Sequence, residues 1–242
     1  MHAPRRAHAR ALAAPGLCFV GVLATSFLAL REVAVPLVVV VRHTTPLASL
    51  WLERFASGPA APPTAAQAAA LLFTVVGAAL YSTGETTWTR VGLALLLANT
   101  GLSALMATLE QQLTKAVSQT APGLIIYRFA ASLPPLLGLA FAFDDHAAPA
   151  WPSSWGDGVE WMLPLTALLS SAFGLAVIRL SQLGVRPTTI LAANSSYKLF
   201  TTVLGVHLFP VPVPPRAWLG YAIAFAGYLA YALQPKPKAK SG

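Results

Sequence analysis

The sequence predicts an all-α integral membrane protein, a single bundle of about eight transmembrane helices. The chain is 56% hydrophobic and only 10% charged, with a mean hydropathy of +0.63, which is far more apolar than an ordinary soluble domain. Its apolar residues form continuous runs of about 20, long enough to cross about 30 Å of hydrocarbon as helix. A β-barrel would instead alternate apolar and polar positions, so we set that class aside.

Charged pairs and turn residues separate the first spans. Arg31-Glu32 follows the first apolar run, a Pro- and Gly-rich stretch at residues 58–63 follows the second, and Glu85 follows the third. The expected spans are residues 11–30, 33–52, 65–84, 91–115, 124–143, 161–182, 187–209 and 218–233.

Prolines separate or interrupt the later spans. Pro122-Gly123 precedes the fifth span, and Pro134-Pro135 removes backbone donors inside it, which predicts a kink. The Pro-rich stretch 210–215 forms the last turn.

Lysine and arginine are unevenly divided between the two sides that these spans define. The side of the termini collects Arg5, Arg6, Arg10, Arg54, Lys115, Arg179, Arg186, Lys236, Lys238 and Lys240. The other side holds only Arg31, Arg90 and Arg216. The positive-inside rule therefore predicts cytosolic termini, with a basic flank (1–14) and a basic tail (235–242) around one polytopic domain (15–234).

A weak internal repeat relates the segment around Arg42 to the segment around Lys198. Each is followed by a Pro-rich turn and then by a span of small residues, at 76–81 and 226–231. The two copies are an odd number of helices apart, so the repeat is inverted, and such repeats place a solute site near the membrane midplane.

Lys198 lies near the middle of the seventh span, where a charge is costly in lipid. Helical spacing puts Asn194, Lys198 and Thr201 on one face, which suits an anion. Arg42 has a comparable depth in the second span, and Thr45 follows it at i+3. Two such cations predict a phosphate site, the alternative being buried cations that only stabilise the bundle.

Arg128 and Tyr127 are further candidates at the start of the fifth span. Arg128 is expected at the same membrane face as Glu110, so the alternative to solute binding is an ion pair. Tyr127 either stacks on a base or sugar or packs as membrane tyrosines commonly do.

Catalysis is not expected, because the chain has no nucleotide-binding Gly-rich loop and no His-Glu-x-x-His pair. Cys18 is the only cysteine, which excludes an internal disulfide or a cysteine-based metal site. We expect no metal and no cofactor.

Several stretches resemble the nucleotide-sugar and triose-phosphate (sugar-phosphate) transporter family of the drug/metabolite transporter superfamily. They are Leu30 to Pro36 leading into Arg42 to Leu47, then Val76 to Ala79, Ile126 to Phe129 with Ser132 to Pro134, and Ala193 to Lys198 with Val203 to Gly205. Two asparagines of the GDP-sugar carriers are replaced in the Tyr127 stretch. The resemblance implies a drug/metabolite-transporter-like inverted-repeat bundle, and it implies that Lys198 contacts a substrate phosphate.

The resemblance also implies a function. Family members typically have ten helices and exchange a nucleotide-sugar for a nucleoside monophosphate by alternating access, and this chain matches them without the first two helices. We therefore expect an antiporter of nucleotide-sugars or sugar phosphates in the Golgi or endoplasmic reticulum.

Other interpretations stay open at this point. They are a translocator of phosphorylated metabolites in the plastid inner envelope, and a truncated, non-transporting membrane subunit or regulator. The alanine-rich face of the last span also allows a homodimer.

Overall fold

The computed structural model describes residues 6–33, 35–56, 64–82, 89–116, 120–143, 159–208 and 214–234. Every regular element in these ranges is a helix, which confirms the all-α prediction. The helices are α1 (Arg6–Glu32), α2 (Val35–His43), α3 (Thr45–Ala56), α4 (Ala65–Ser82), α5 (Arg90–Ala116), α6 (Ala121–Phe143), α7 (Val159–Gln182), α8 (Pro187–Leu208) and α9 (Pro215–Ala232).

Four helices in the described ranges are long and apolar enough to cross a membrane. The qualifying segments are Ala13–Glu32 of α1, Arg90–Ala116 of α5, Ala121–Leu139 of α6 and Pro164–Gln182 of α7. Helix α4 contributes a shorter apolar segment, Ala65–Leu80.

Side chains are distributed as in a bundle surrounded by lipid. Large apolar side chains such as Phe73, Phe141 and Trp161 point outward, whereas Ser49, Thr74 and many other polar side chains are buried. A water-soluble bundle shows the opposite pattern. The coarse prediction of an integral membrane protein is therefore compatible with both the helices and their surfaces.

The second expected span is broken rather than continuous. Helix α2 ends at His43 and α3 begins at Thr45, with Thr44 between them donating its N–H back to the Val41 carbonyl. Pro46 explains the break, because proline cannot donate to the carbonyl four residues earlier and its ring clashes with that carbonyl. Helix α1 also begins at Arg6, so part of the expected flank 1–14 is helical. The tail 235–242 and the loop 144–158 lie outside the described residues.

Helices α4 and α9 approach each other closely, and two glycines make the contact possible. A Cβ atom on Gly77 would lie 2.6 Å from the Gly220 carbonyl oxygen, and one on Gly227 would lie 2.8 Å from the Ala70 carbonyl oxygen. Small residues of this kind let two backbones approach closely in membranes. The two spans that the internal repeat equates therefore pack directly on each other and run antiparallel.

Hydrogen bonds between helix ends establish the direction of the helices. At one end of the bundle, which we call the terminal end, Gln111 near the end of α5 donates to the Val185 carbonyl just before α8, and Thr64 before α4 donates to Gln234 after α9. At the opposite end, Thr89 before α5 donates to Glu32 at the end of α1. Helix ends and starts therefore alternate between two faces.

The turn between α7 and α8 is a Schellman motif. Gly184 has φ +79° and donates its N–H to the Ser181 carbonyl, while Val185 donates to the Leu180 carbonyl. Pro187 then begins α8 with the fixed φ that suits a first helical residue. The motif holds Arg186 at the terminal end, immediately before α8.

Candidate functional site

Arg42 is a half-buried cation beside the break between α2 and α3. It occupies the last turn of α2, next to the break, and one Nη atom donates to the Ser26 hydroxyl of α1 at 2.7 Å. The side chain is half-buried, and no carboxylate of the described residues lies within salt-bridge distance of it. Most of its five N–H donors are therefore left for another acceptor.

Asn99 of α5 completes the environment of Arg42. Its Nδ2 atom approaches the Val22 carbonyl at 2.7 Å and the hydroxyls of Thr25 and Ser26 at 2.9 and 2.8 Å. Ser26 therefore accepts from both Asn99 and Arg42 and donates its own proton to the Val22 carbonyl. We call Ser26, Arg42 and Asn99 the Arg42 cluster. An asparagine in an apolar span was the available sequence signal for Asn99, and our sequence analysis missed it.

The helix break supplies the electrostatics of the Arg42 cluster. The carbonyl groups that end α2 carry partial negative charge, which favours a cation in the last turn. The N–H groups that begin α3 carry partial positive charge on the other side of the break. Arg42 together with this second helix start can attract an anion, and a guanidinium matches phosphate oxygens in pairs.

His43 adds a second polar contact beside the break. Its Nδ1 atom lies 2.7 Å from the hydroxyl of Tyr228 on α9, and His43 is only 2% exposed. The Tyr228 hydroxyl also interacts with Ser195 of α8 and Thr74 of α4. Four helices are therefore joined through polar groups at this level, and histidine spacing in the sequence gave no sign of it.

Arg42 and Thr45, expected on one helix face, do not lie on one continuous helix. Thr45 and Ser49 follow the break on α3, where both are buried. The Ser49 hydroxyl points toward Glu53 at 3.5 Å, and Glu53 accepts hydrogen bonds from the N–H and the hydroxyl of Thr188 on α8. This face of α3 therefore binds α8 through polar groups.

The predicted face of Asn194, Lys198 and Thr201 on α8 is supported by the course of the backbone alone. Helix α8 is continuous through residues 194–201, so Asn194, Lys198 and Thr201 share a side, but the side chains of Lys198 and Thr201 lie outside the described part of the chain. The Oδ1 atom of Asn194 is buried without a hydrogen-bond partner among the described residues, as is the hydroxyl of Thr100 on α5. Buried polar atoms are normally paired, so these two acceptors are available to a bound molecule.

Arg128 and Tyr127 lie away from the Arg42 cluster. Arg128 forms a 2.7 Å ion pair with Glu110 and stacks on Phe129, with its Cζ atom 5.2 Å from the ring centroid. The Arg128 carbonyl lies beside Gly16 of α1, which is about 15 Å along the helix from Ser26. Tyr127 packs against an apolar cluster of α6 and α7 formed by Ala121, Leu124, Ile125 and Ile178. The structure thus places this pair of candidates in packing and ion-pair roles near the terminal end.

The parts of the chain that the structure describes contain no cluster of metal-ligating side chains. Those ranges contain no group of three or more His, Cys, Asp or Glu side chains placed to hold an ion.

Comparisons with known proteins establish the fold but not the family. Neither a family model nor a curated protein matches the chain. A solved structure titled "Crystal structure of protein" aligns with a TM-score of 0.64 over 96% of this chain and 90% of that chain, at 14% sequence identity. At this identity the likeness shows a shared fold alone.

Proposed function

We propose that the chain is a transmembrane antiporter that exchanges phosphorylated small solutes, nucleotide-sugars or sugar phosphates, by alternating access. The observation that carries the proposal is Arg42, a half-buried cation inside an apolar bundle, beside a helix break and without a carboxylate partner among the described residues. Such a cation is costly unless an anion or water reaches it. A phosphate provides both the charge and the oxygen acceptors that a guanidinium needs.

Two further features support transport over a purely structural role. Broken helices at membrane depth occur where backbone lines a cavity, and the break at Thr44 lies next to Arg42. The buried and unpartnered oxygens of Asn194 and Thr100 offer acceptors for the hydroxyl groups of a sugar. In the proposed mechanism Arg42 and Lys198 neutralise the phosphate while these neutral groups contact the rest of the solute.

We also propose about eight membrane crossings with both termini on the cytosolic side of a Golgi or endoplasmic reticulum membrane. The alternating helix directions support an even number of crossings. Cys18 allows a direct test: in a Cys18→Ser background, a single cysteine at Ser241 should react with a membrane-impermeant thiol reagent only from the cytosolic side. Labelling from the lumenal side would overturn this orientation.

Transport is tested by exchange in proteoliposomes that contain the purified full chain. Labelled nucleotide-sugars and sugar phosphates are offered outside, with nucleoside monophosphate or inorganic phosphate inside. Uptake should require the internal anion and should fall at least tenfold in Arg42→Gln and in Lys198→Met. Arg179→Gln is the matched control, since Arg179 is exposed in the last turn of α7, and it should transport normally.

The rival interpretations correspond to specific outcomes. Exchange of sugar phosphates without nucleotide-sugars would favour a metabolite translocator of the plastid type. Absence of exchange by a folded, monodisperse protein across the whole panel would refute the transport proposal and favour a non-transporting subunit.

A further inference from the structure

A cavity with several polar side chains in its lining is found at the terminal end of the bundle, away from the Arg42 cluster. It has a volume of about 310 Å³ and is bounded by the α7–α8 turn, the first turn of α4 and the end of α9. Its polar lining consists of Gln67, Arg186, Thr189, Tyr231 and Gln234. Cavities of this size hold small molecules or headgroups.

Arg186 brings hydrogen-bond donors to this cavity. Its Nε atom donates to Glu53 at 2.9 Å, and its two Nη groups form no hydrogen bond with the described residues. Glu53 is not part of the lining, and it already accepts from Thr188 at 2.6 Å as well as from Arg186. The carboxylate therefore holds the Nε edge of the guanidinium, and the Nη groups of this lining residue keep free donors.

Two glutamines add donors rather than acceptors. The Oε1 atom of Gln67 accepts the Thr64 N–H at 3.2 Å, and the Oε1 atom of Gln234 accepts from the Thr64 hydroxyl at 3.4 Å. Both carbonyl oxygens therefore accept hydrogen bonds from the same residue, Thr64. Each amide NH₂ group remains free to donate to a ligand. The hydroxyls of Thr189 and Tyr231, 3.3 Å apart, complete the lining.

The cavity therefore presents N–H and O–H donors, and no carboxylate lines it among the described residues. This chemistry selects an anion with several oxygen acceptors. Two leucines beside it, Leu183 and Leu233, are 79% and 82% exposed at the ends of α7 and α9. Exposed leucines adjoining a donor-lined cavity at the helix ends match the boundary between acyl chains and headgroups.

We propose that this cavity binds the phosphate group of an anionic phospholipid, whose acyl chains lie against Leu183 and Leu233. The site is distinct from the Arg42 cluster, and its occupation does not depend on the transport proposal. A phosphate from a soluble compound shares the same chemistry, so the test separates the two sources.

The test compares thermal stability of the purified full chain in mixed micelles that contain phosphatidylglycerol, phosphatidylcholine or no added lipid. Native mass spectrometry of the same samples counts retained lipids. Phosphatidylglycerol should raise the melting temperature and remain bound to the protein. Phosphatidylcholine should bind at least tenfold more weakly. Glycerol phosphate and inorganic phosphate, added without lipid, form the soluble arm.

Arg186→Gln should reduce phosphatidylglycerol binding at least tenfold, and Arg179→Gln, outside the cavity, should not. Because Arg186→Gln also removes the contact with Glu53, Gln234→Leu serves as a second variant that spares it and should weaken binding several-fold. Equal retention of the two lipids, or unchanged binding in Gln234→Leu, would overturn the proposal. Protection by glycerol phosphate equal to that by phosphatidylglycerol would overturn the lipid as the source.

Discussion

Replacing Gly77 by alanine tests the close contact between α4 and α9. The added Cβ atom would lie 2.6 Å from the Gly220 carbonyl oxygen and 2.8 Å from the Ala224 Cα atom, whereas ordinary contacts begin at 3.4 Å. These are backbone atoms that cannot rotate away, so α4 and α9 must separate by about 1 Å, enough to forfeit a quarter to half of each van der Waals contact.

The energetic cost follows from a matched comparison with Gly101→Ala in α5, where the new Cβ would meet no atom within 4 Å. Both substitutions gain the same helix propensity, about 1 kcal/mol, so this term cancels between them. The remaining difference is overpacking, about 1–3 kcal/mol, and rigid backbone partners favour the upper value. For a chain of this size, 3 kcal/mol corresponds to a difference in melting temperature of about 6–12 °C.

The assay heats each purified variant in detergent and measures the monodisperse fraction by size-exclusion chromatography. Gly77→Ala should melt well below Gly101→Ala, which should match or exceed the unsubstituted chain. Equal melting temperatures for the two variants would show that α4 and α9 do not cross at Gly77.

Three further predictions concern buried polar groups. Glu53→Gln removes a charge that binds the start of α8 and should lower stability by about 2–3 kcal/mol, seen as earlier thermal aggregation. Thr100→Val removes a hydroxyl that has no partner among the described residues, so it should raise the melting temperature of the solute-free protein. Thr108→Val is the control and should not raise it, because the Thr108 hydroxyl donates to the Ala104 carbonyl. A higher melting temperature for Thr108→Val than for Thr100→Val would contradict this prediction. Asn99→Leu should lower the melting temperature by several degrees because it leaves acceptors of α1 unpaired, and an unchanged value would argue against the Arg42 cluster.

Helix positions were largely predictable because they depend on local chemistry. Hydrophobic runs and Pro or Gly punctuation indicated the helical segments of the described ranges, except for the division of the second span into α2 and α3. The pair Glu110 and Arg128, expected at one membrane face, is indeed an ion pair. The break at Thr44 was missed although Pro46 signals it, because hydropathy over a window of about 20 residues averages across a single interruption.

The arrangement of the site was less predictable because it depends on contacts between distant segments. The sequence identified Arg42 from its depth alone, whereas its partners Ser26 and Asn99 lie on two other helices. Similarly, the repeat related the spans of Gly77 and Gly227, but only packing shows that these glycines lie against the partner helix. The hydrophobic periodicity of one helix does not predict which residues of another helix it will contact.

The interruption at Thr44 also divides the second predicted span into two parts that can move separately. A continuous helix transmits a tilt along its whole length, whereas two short helices joined at one residue can tilt separately. Helix α2 packs mainly against α4, whereas α3 packs against α5 and α8. A displacement of α5 or α8 can therefore tilt α3 without tilting α2 by the same amount, and the joint at Thr44 takes up the difference.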